Sequence, residues 1–147
     1  MILISHRGNI NGKFESYENE PMYIDKAISQ GFNVEIDIWL IDGILFLGHD
    51  KPQYLTSKTF VDRYKDSLWI HCKNLEALEY FVNLKENYKY FWHEEDSYTL
   101  TSNGLIWTYP GKPITDKSIL VLKDQEAVPS PCVAFGICSD YVKTIQD

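Results

Sequence analysis

Two histidines, an arginine and a carboxylate pair fall within the first fifty residues, at His6-Arg7-Gly8, Glu35-Ile36-Asp37 and His49-Asp50. Side chains alternate along a strand, so Glu35 and Asp37 share one face and Ile36 and Ile38 the other. Two adjacent carboxylates raise each other's pKa unless a cation lies between them. A hard divalent ion such as Mg²⁺ or Ca²⁺, bound through oxygen, resolves that conflict. The plainer alternative is an exposed edge strand with two harmless acids. Flanking Val34, Ile38, Trp39 and Leu40 argue instead for a buried strand. His6 and His49 each end an apolar run, and histidine suits proton transfer near neutrality. Cleavage of a phosphodiester by internal attack needs one base and one acid. Either histidine alone would be read as structural; the pair beside Arg7 is not, because a guanidinium grips phosphate through a two-pronged fork.

His71-Cys72-Lys73 supplies a third group. His71 and Lys73 share a strand face. Lys73 could neutralise a non-bridging phosphate oxygen, and His71 could ligate a metal or hydrogen-bond in the core. Other polar residues have plainer readings. Asp50 caps a turn or orients His49, with the turn favoured. Glu18 and Asn19 precede a helix, where Asn19 holds the loop in shape. His93-Glu94-Glu95-Asp96 reads as a solvated turn. Phe91, Trp92, Trp107 and Tyr109 read mainly as core, with Trp107 or Tyr109 as a lesser candidate for a substrate wall.

The elements that must position these residues follow from pattern. Ile2 to Ser5 reads as a buried strand and residues 8–18 as a loop. Pro21 starts a helix that Gly31 stops. Phe32 to Leu40 is a strong strand, turned back by Asp42-Gly43 into Leu45 to Gly48. Helices are expected over Ser57 to Asp66, capped by Thr56 or Ser57, and over Leu75 to Lys85, around the strand Leu68 to Cys72. Tyr88 to Trp92, Leu105 to Tyr109, Ile119 to Leu122 and Val133 to Cys138 read as strands, with connections too short for full helices. The pattern predicts one α/β domain over residues 1–147: a reduced TIM-like (β/α) barrel with helices shortened or missing in its second half.

Composition narrows the functions. The chain has 147 residues, 44% of them apolar, which suffices for a real core. A formal charge of −7 argues against nucleic acid as a partner. No stretch approaches a membrane span, and the N-terminus reads as a first strand rather than a leader. Cys72, Cys132 and Cys138 are odd in number without C-x-x-C spacing. That favours free thiols and a cytoplasmic location over disulfides or a cysteine zinc site.

At the quoted motifs the chain resembles the glycerophosphodiester phosphodiesterase family, within the phosphatidylinositol-phospholipase-C-like phosphodiesterases, as a short divergent member. The family pattern falls in order on His6-Arg7-Gly8, Glu18-Asn19, Ala27 to Gly31, Glu35-Ile36-Asp37, Asp42-Gly43 and His49-Asp50. The match covers roughly the first third of the chain. Gly136 to Tyr141 resembles the family's last-strand motif. The resemblance implies His6 and His49 as the acid–base pair, Arg7 on the phosphate, and Glu35 and Asp37 as metal ligands. It implies hydrolysis of a small phosphodiester by attack of an internal hydroxyl, through a cyclic phosphate. A non-catalytic barrel that binds a phosphorylated ligand, or a lyase releasing the cyclic phosphate, is the alternative.

Two departures stand out. The family's third strand ends Glu-x-Lys, and here His71 replaces the glutamate while Lys73 is kept. Loss of one negative charge either shifts preference from Ca²⁺ toward a softer ion such as Mn²⁺ or Zn²⁺ or weakens metal binding outright. The chain is also far shorter than the roughly 250 residues of a full barrel, which would bare apolar flanks and favour a homo-oligomer.

Overall fold

The computed structural model describes residues 1–146, in which ten strands form one mixed sheet carrying four short helices. In chain order these are β1 (Ile2–His6), α1 (Pro21–Ser29), β2 (Asn33–Ile41), β3 (Ile44–Leu47), β4 (Tyr54–Leu55), α2 (Lys58–Arg63) and β5 (Leu68–Cys72). They continue with α3 (Leu75–Leu84), β6 (Lys89–Phe91), β7 (Tyr98–Leu100), β8 (Ile106–Thr108), β9 (Ser118–Leu122), β10 (Gly136–Ser139) and α4 (Val142–Gln146). Local chemistry sets several boundaries. Pro21 opens α1, Ser57 caps α2 by accepting from the Phe60 N–H, and Asn74 caps α3 by accepting from the Ala77 N–H.

The sheet curls into a half-barrel dominated by strands, and this corrects the expected reduced TIM-like (β/α) barrel. Two features of the chain account for the difference. Turns at Asp42-Gly43, at residues 48–53 and at residues 101–105 fold it back on itself, so β3, β4 and β7 run antiparallel to their neighbours. Residues 109–117 and 123–135 then join β8 to β9 and β9 to β10 with no helix, since Pro110, Pro113, Pro129 and Pro131 interrupt them. Neighbouring strands β6, β5, β2, β1, β10, β9 and β8 are parallel. The curl stacks Phe91 of β6 on Trp107 of β8, ring centroids 4.5 Å apart.

β2 is buried on both faces, which is why its two carboxylates matter. Val34, Ile36 and Ile38 pack with Ile24 and Ala27 of α1, Ala77 and Phe81 of α3, and Leu68 and Ile70 of β5. Glu35 and Asp37 face inward instead, and both are almost fully buried. Leu120, Leu122 and Ile137 on the outer face of β9 and β10 are covered by Val128, Cys132 and Ala134 of the preceding loop and by Ile145 of α4. The chain thus covers this flank itself. Cys72 and Cys138 are free and buried, and Cys132 is free and half-buried. Among the described residues, no helix is long and apolar enough to cross a membrane.

Candidate metal and phosphate site

The curl gathers strand ends around a cavity of about 1230 Å³, lined among others by His6, Arg7, Glu35, His49, His71 and Lys73. β1 delivers the first two. Its ladder with β2 sets His6 opposite Glu35 and extends through the Arg7 N–H, which donates to the Glu35 carbonyl at 2.9 Å. The chain then reverses: the Asn9 N–H donates to the His6 carbonyl at 3.0 Å, with φ of 58° at Arg7 and 96° at Gly8. Those angles belong to a type I′ turn, which favours glycine. A Cβ at Gly8 would also meet Tyr23 Cδ2 at 2.5 Å. Gly8→Ala is therefore expected to destabilise the protein by more than about 1 kcal/mol in urea unfolding.

Asp37 is the hub. Arg7 Nε lies 3.1 Å from its Oδ2, His71 Nδ1 3.1 Å from Oδ1, His49 Nδ1 3.6 Å from Oδ2 and Lys73 Nζ 4.0 Å from Oδ1. Asn19 clamps it twice, donating Nδ2–H to Oδ2 and accepting the Asp37 N–H, both at 2.9 Å. Burial alone would push this carboxyl up, but the histidines and Arg7 hold it well below the usual range. Glu35 has the opposite fate. Burial, and then the charge of Asp37, raise its pKa, with His6 and Arg7 opposing only in part. The shared strand face thus carries one firmly ionised acid and one that resists ionisation.

Glu35, Asp37 and His71 form the one group among the described residues able to converge on a metal, their ligand atoms lying within 4.8 Å of one another. Glu35 Oε2 and Asp37 Oδ1 are buried without an aligned hydrogen-bond donor. Such orphaned oxygens are costly, and a divalent cation would satisfy both. His71 is oriented to join them: its Nε2 lies 3.0 Å from the His93 carbonyl. Donation of Nε2–H to that carbonyl leaves Nδ1 as the ring nitrogen facing the carboxylates, the arrangement common around metal-bound histidine. The donor set fits the cation.

The remaining expected residues have distinct placements. His49 arrives from the returning strand β3, not from a parallel strand, and the Gly48 N–H donates to the Asp37 carbonyl at 3.1 Å. Arg7 is heavily engaged, with Nη1 3.1 Å from Glu18 Oε1 and Nε beside Asp37; Nη2 faces His49 Nε2 at 3.4 Å and has no carboxylate partner. The fork expected for phosphate is thus reduced to Nη2, the one prong without a carboxylate partner. Lys73 lines the cavity near Asp37. The side chain of Asp50 is exposed, 3.6 Å from His49 Nε2. Glu94, Glu95 and Asp96 are exposed as a solvated turn should be.

Three further contributors lie in motifs of the sequence that carried no such role. Glu18 seats Arg7, Asn19 clamps Asp37, and Asp140, just beyond β10, accepts from His6 Nδ1 at 2.9 Å. Glu18 and Asn19 looked like the approach to a helix, and nothing local links Asp140 to a histidine 134 residues away. Burial alone would lower the pKa of His6. Asp140 and Glu35 outweigh it, so His6 is raised, while the same contact holds Asp140 low. Folding therefore gains from the charged pair between these limits. The gain fades as pH falls through the lowered Asp140 pKa, and as pH rises through the raised His6 pKa. In Asp140→Asn the His6 pKa is expected to fall, which an NMR titration of its Cε1–H measures directly.

Comparison with protein-family models, curated proteins and solved structures gave no match.

Proposed function

We propose that this protein is a metal-dependent phosphodiesterase acting on a small phosphodiester of the glycerophosphodiester type. One observation carries the reading: Glu35, Asp37 and His71 bring ligand atoms within 4.8 Å of one another beside a cavity lined by Glu35, His71, His6, His49, Arg7 and Lys73. Glu35, Asp37 and His71 would hold the divalent ion, whether Mg²⁺, Ca²⁺, Mn²⁺ or Zn²⁺. When bound, such an ion acts as a Lewis acid on a phosphoryl oxygen. Arg7, through Nη2, which has no carboxylate partner, and Lys73 would bind the other phosphate oxygens. In this reading one histidine takes the proton of the substrate's own attacking hydroxyl. The other protonates the departing alkoxide, and the resulting cyclic phosphate is opened by water in the reverse sense. His6 is suited to the acid role, because Asp140 and Glu35 favour its protonated form.

Hydrolysis of an aryl glycerophosphodiester, whose glycerol carries the attacking hydroxyl, sensitive to chelator and lost in His6→Ala and in Glu35→Ala, is the expected result. Turnover that survives all three treatments would remove the proposal. The engagement of Arg7 by Glu18 and Asp37 favours a second reading, a site that binds a phosphorylated ligand without turnover. It predicts thermal stabilisation by phosphate esters with no product. Self-association, if it occurs, has to use a surface other than the covered flank of β9 and β10. Tyr98 and Leu100 of β7, 45% and 71% exposed, and Ile44 of β3 and Leu55 of β4, 47% and 68% exposed, are apolar side chains exposed toward the two ends of the strand order.

A further inference from the structure

Asn9 lies directly after the turn that carries Arg7 and Gly8, and no solvent reaches it. Its amide is fully used. Nδ2 donates to Glu18 Oε2 at 2.7 Å and to Asp140 Oδ1 at 2.8 Å. Oδ1 accepts from the Phe14 N–H at 3.2 Å and from the Tyr23 hydroxyl at 3.0 Å. Two donors and two acceptors exhaust what an asparagine side chain offers. The amide can sit only one way round, since reversing it would aim its oxygen at two carboxylates.

The two acids that it bridges have different tasks. Glu18 holds Nη1 of Arg7, the residue assigned to phosphate, and Asp140 holds Nδ1 of His6, the residue assigned to proton transfer. Without the intervening NH₂ group, these carboxylates would face each other as like charges. We propose that Asn9 is a positioning residue: one buried amide sets Glu18 and Asp140 together, and through them the seats of Arg7 and His6. The inference rests on the phosphodiesterase reading for what those seats accomplish, but the positioning is a property of the free protein.

The test is Asn9→Asp, which keeps the oxygen that receives Phe14 and Tyr23 and replaces the NH₂ with a second oxygen. On an aryl glycerophosphodiester, KM should rise and kcat should fall together, lowering kcat/KM by about 10- to 100-fold, the usual effect of losing a partner that orients a site residue. Glu18→Gln should act mainly on KM and Asp140→Asn mainly on kcat. In parallel, ¹⁵N-¹H spectra should show the Arg7 Nε–H and the His6 imidazole shifting together in the Asn9 variant. Shifts confined to residues 11–17, with both of those signals unmoved, would overturn the proposal and leave Asn9 a loop support. If the wild-type protein turns over no ester, the phosphodiesterase reading fails, and the spectra still decide the positioning. Asn9→Ser, which keeps a single donor, replaces the aspartate variant if that one does not fold, and is read by the same two signals.

Discussion

Asp37→Asn is expected to destabilise the protein by about 3–5 kcal/mol, the range for removing one partner from a buried charge cluster. The substitution is nearly isosteric, so a cavity cannot be its cause. Asp37 is fully buried and faces Arg7, His71, His49 and Lys73. Neutralising it leaves buried Arg7 with Glu18 as its single close carboxylate. The effect should depend on pH with a definite sign. The pKa of Asp37 is lowered on folding, so its contribution is present above the unfolded value and is lost as pH falls through the folded one. Urea unfolding of wild type and variant should therefore differ most near neutrality and converge in strong acid. On the proposed function, kcat/KM should also fall by about a thousandfold, by analogy with losing a principal charge-stabilising group. A variant as stable as wild type at pH 7 would show that the cations around Asp37 do not need it.

These two carboxylates were legible because alternation is local: Val34, Ile36 and Ile38 advertise a buried strand, and the residues between them must face the other way. The Asp42-Gly43 hairpin was legible for a similar reason, as φ values of 49° and 77° are what that dipeptide tolerates. The architecture was not. Strand periodicity says nothing about whether a connection crosses over or doubles back, and β7 is only three residues long, too short to show a period before it pairs with β8. Site partners were hidden for a related cause. Asn9 and Asn19 carry the composition of a loop, and only long-range contacts give them work: Asn19 clamps a strand 18 residues on, and Asn9 reaches Asp140, 131 residues on. The His93 carbonyl that orients His71 is main chain and has no side-chain signature at all.

Glu35→Gln should have the opposite sign to Asp37→Asn, although the two acids stand two residues apart on one strand face. Glu35 is buried, its Oε2 has no aligned donor, and its pKa is raised by burial and then by Asp37. A raised carboxyl binds more protons folded than unfolded, so stability falls as pH climbs through the range between its unfolded and folded pKa values. At neutral pH the raised pKa of Glu35 makes it a cost to the metal-free fold, and the amide removes that cost. The expected gain in metal-free protein is a Tm rise of about 2–4 °C, the shift that about 1 kcal/mol gives a chain of this size. Metal reverses the ranking. A divalent cation at a hundred times its Kd should stabilise wild type by about 2.7 kcal/mol, while Glu35→Gln, lacking one of the three ligands, should respond little. Melting curves of both proteins, with chelator and with Mn²⁺, supply all four values. If the order of stability stays the same in both conditions, Glu35 is a tolerated buried acid and not a metal ligand. If it inverts, the carboxylate is kept at a cost to the fold for the sake of the cation.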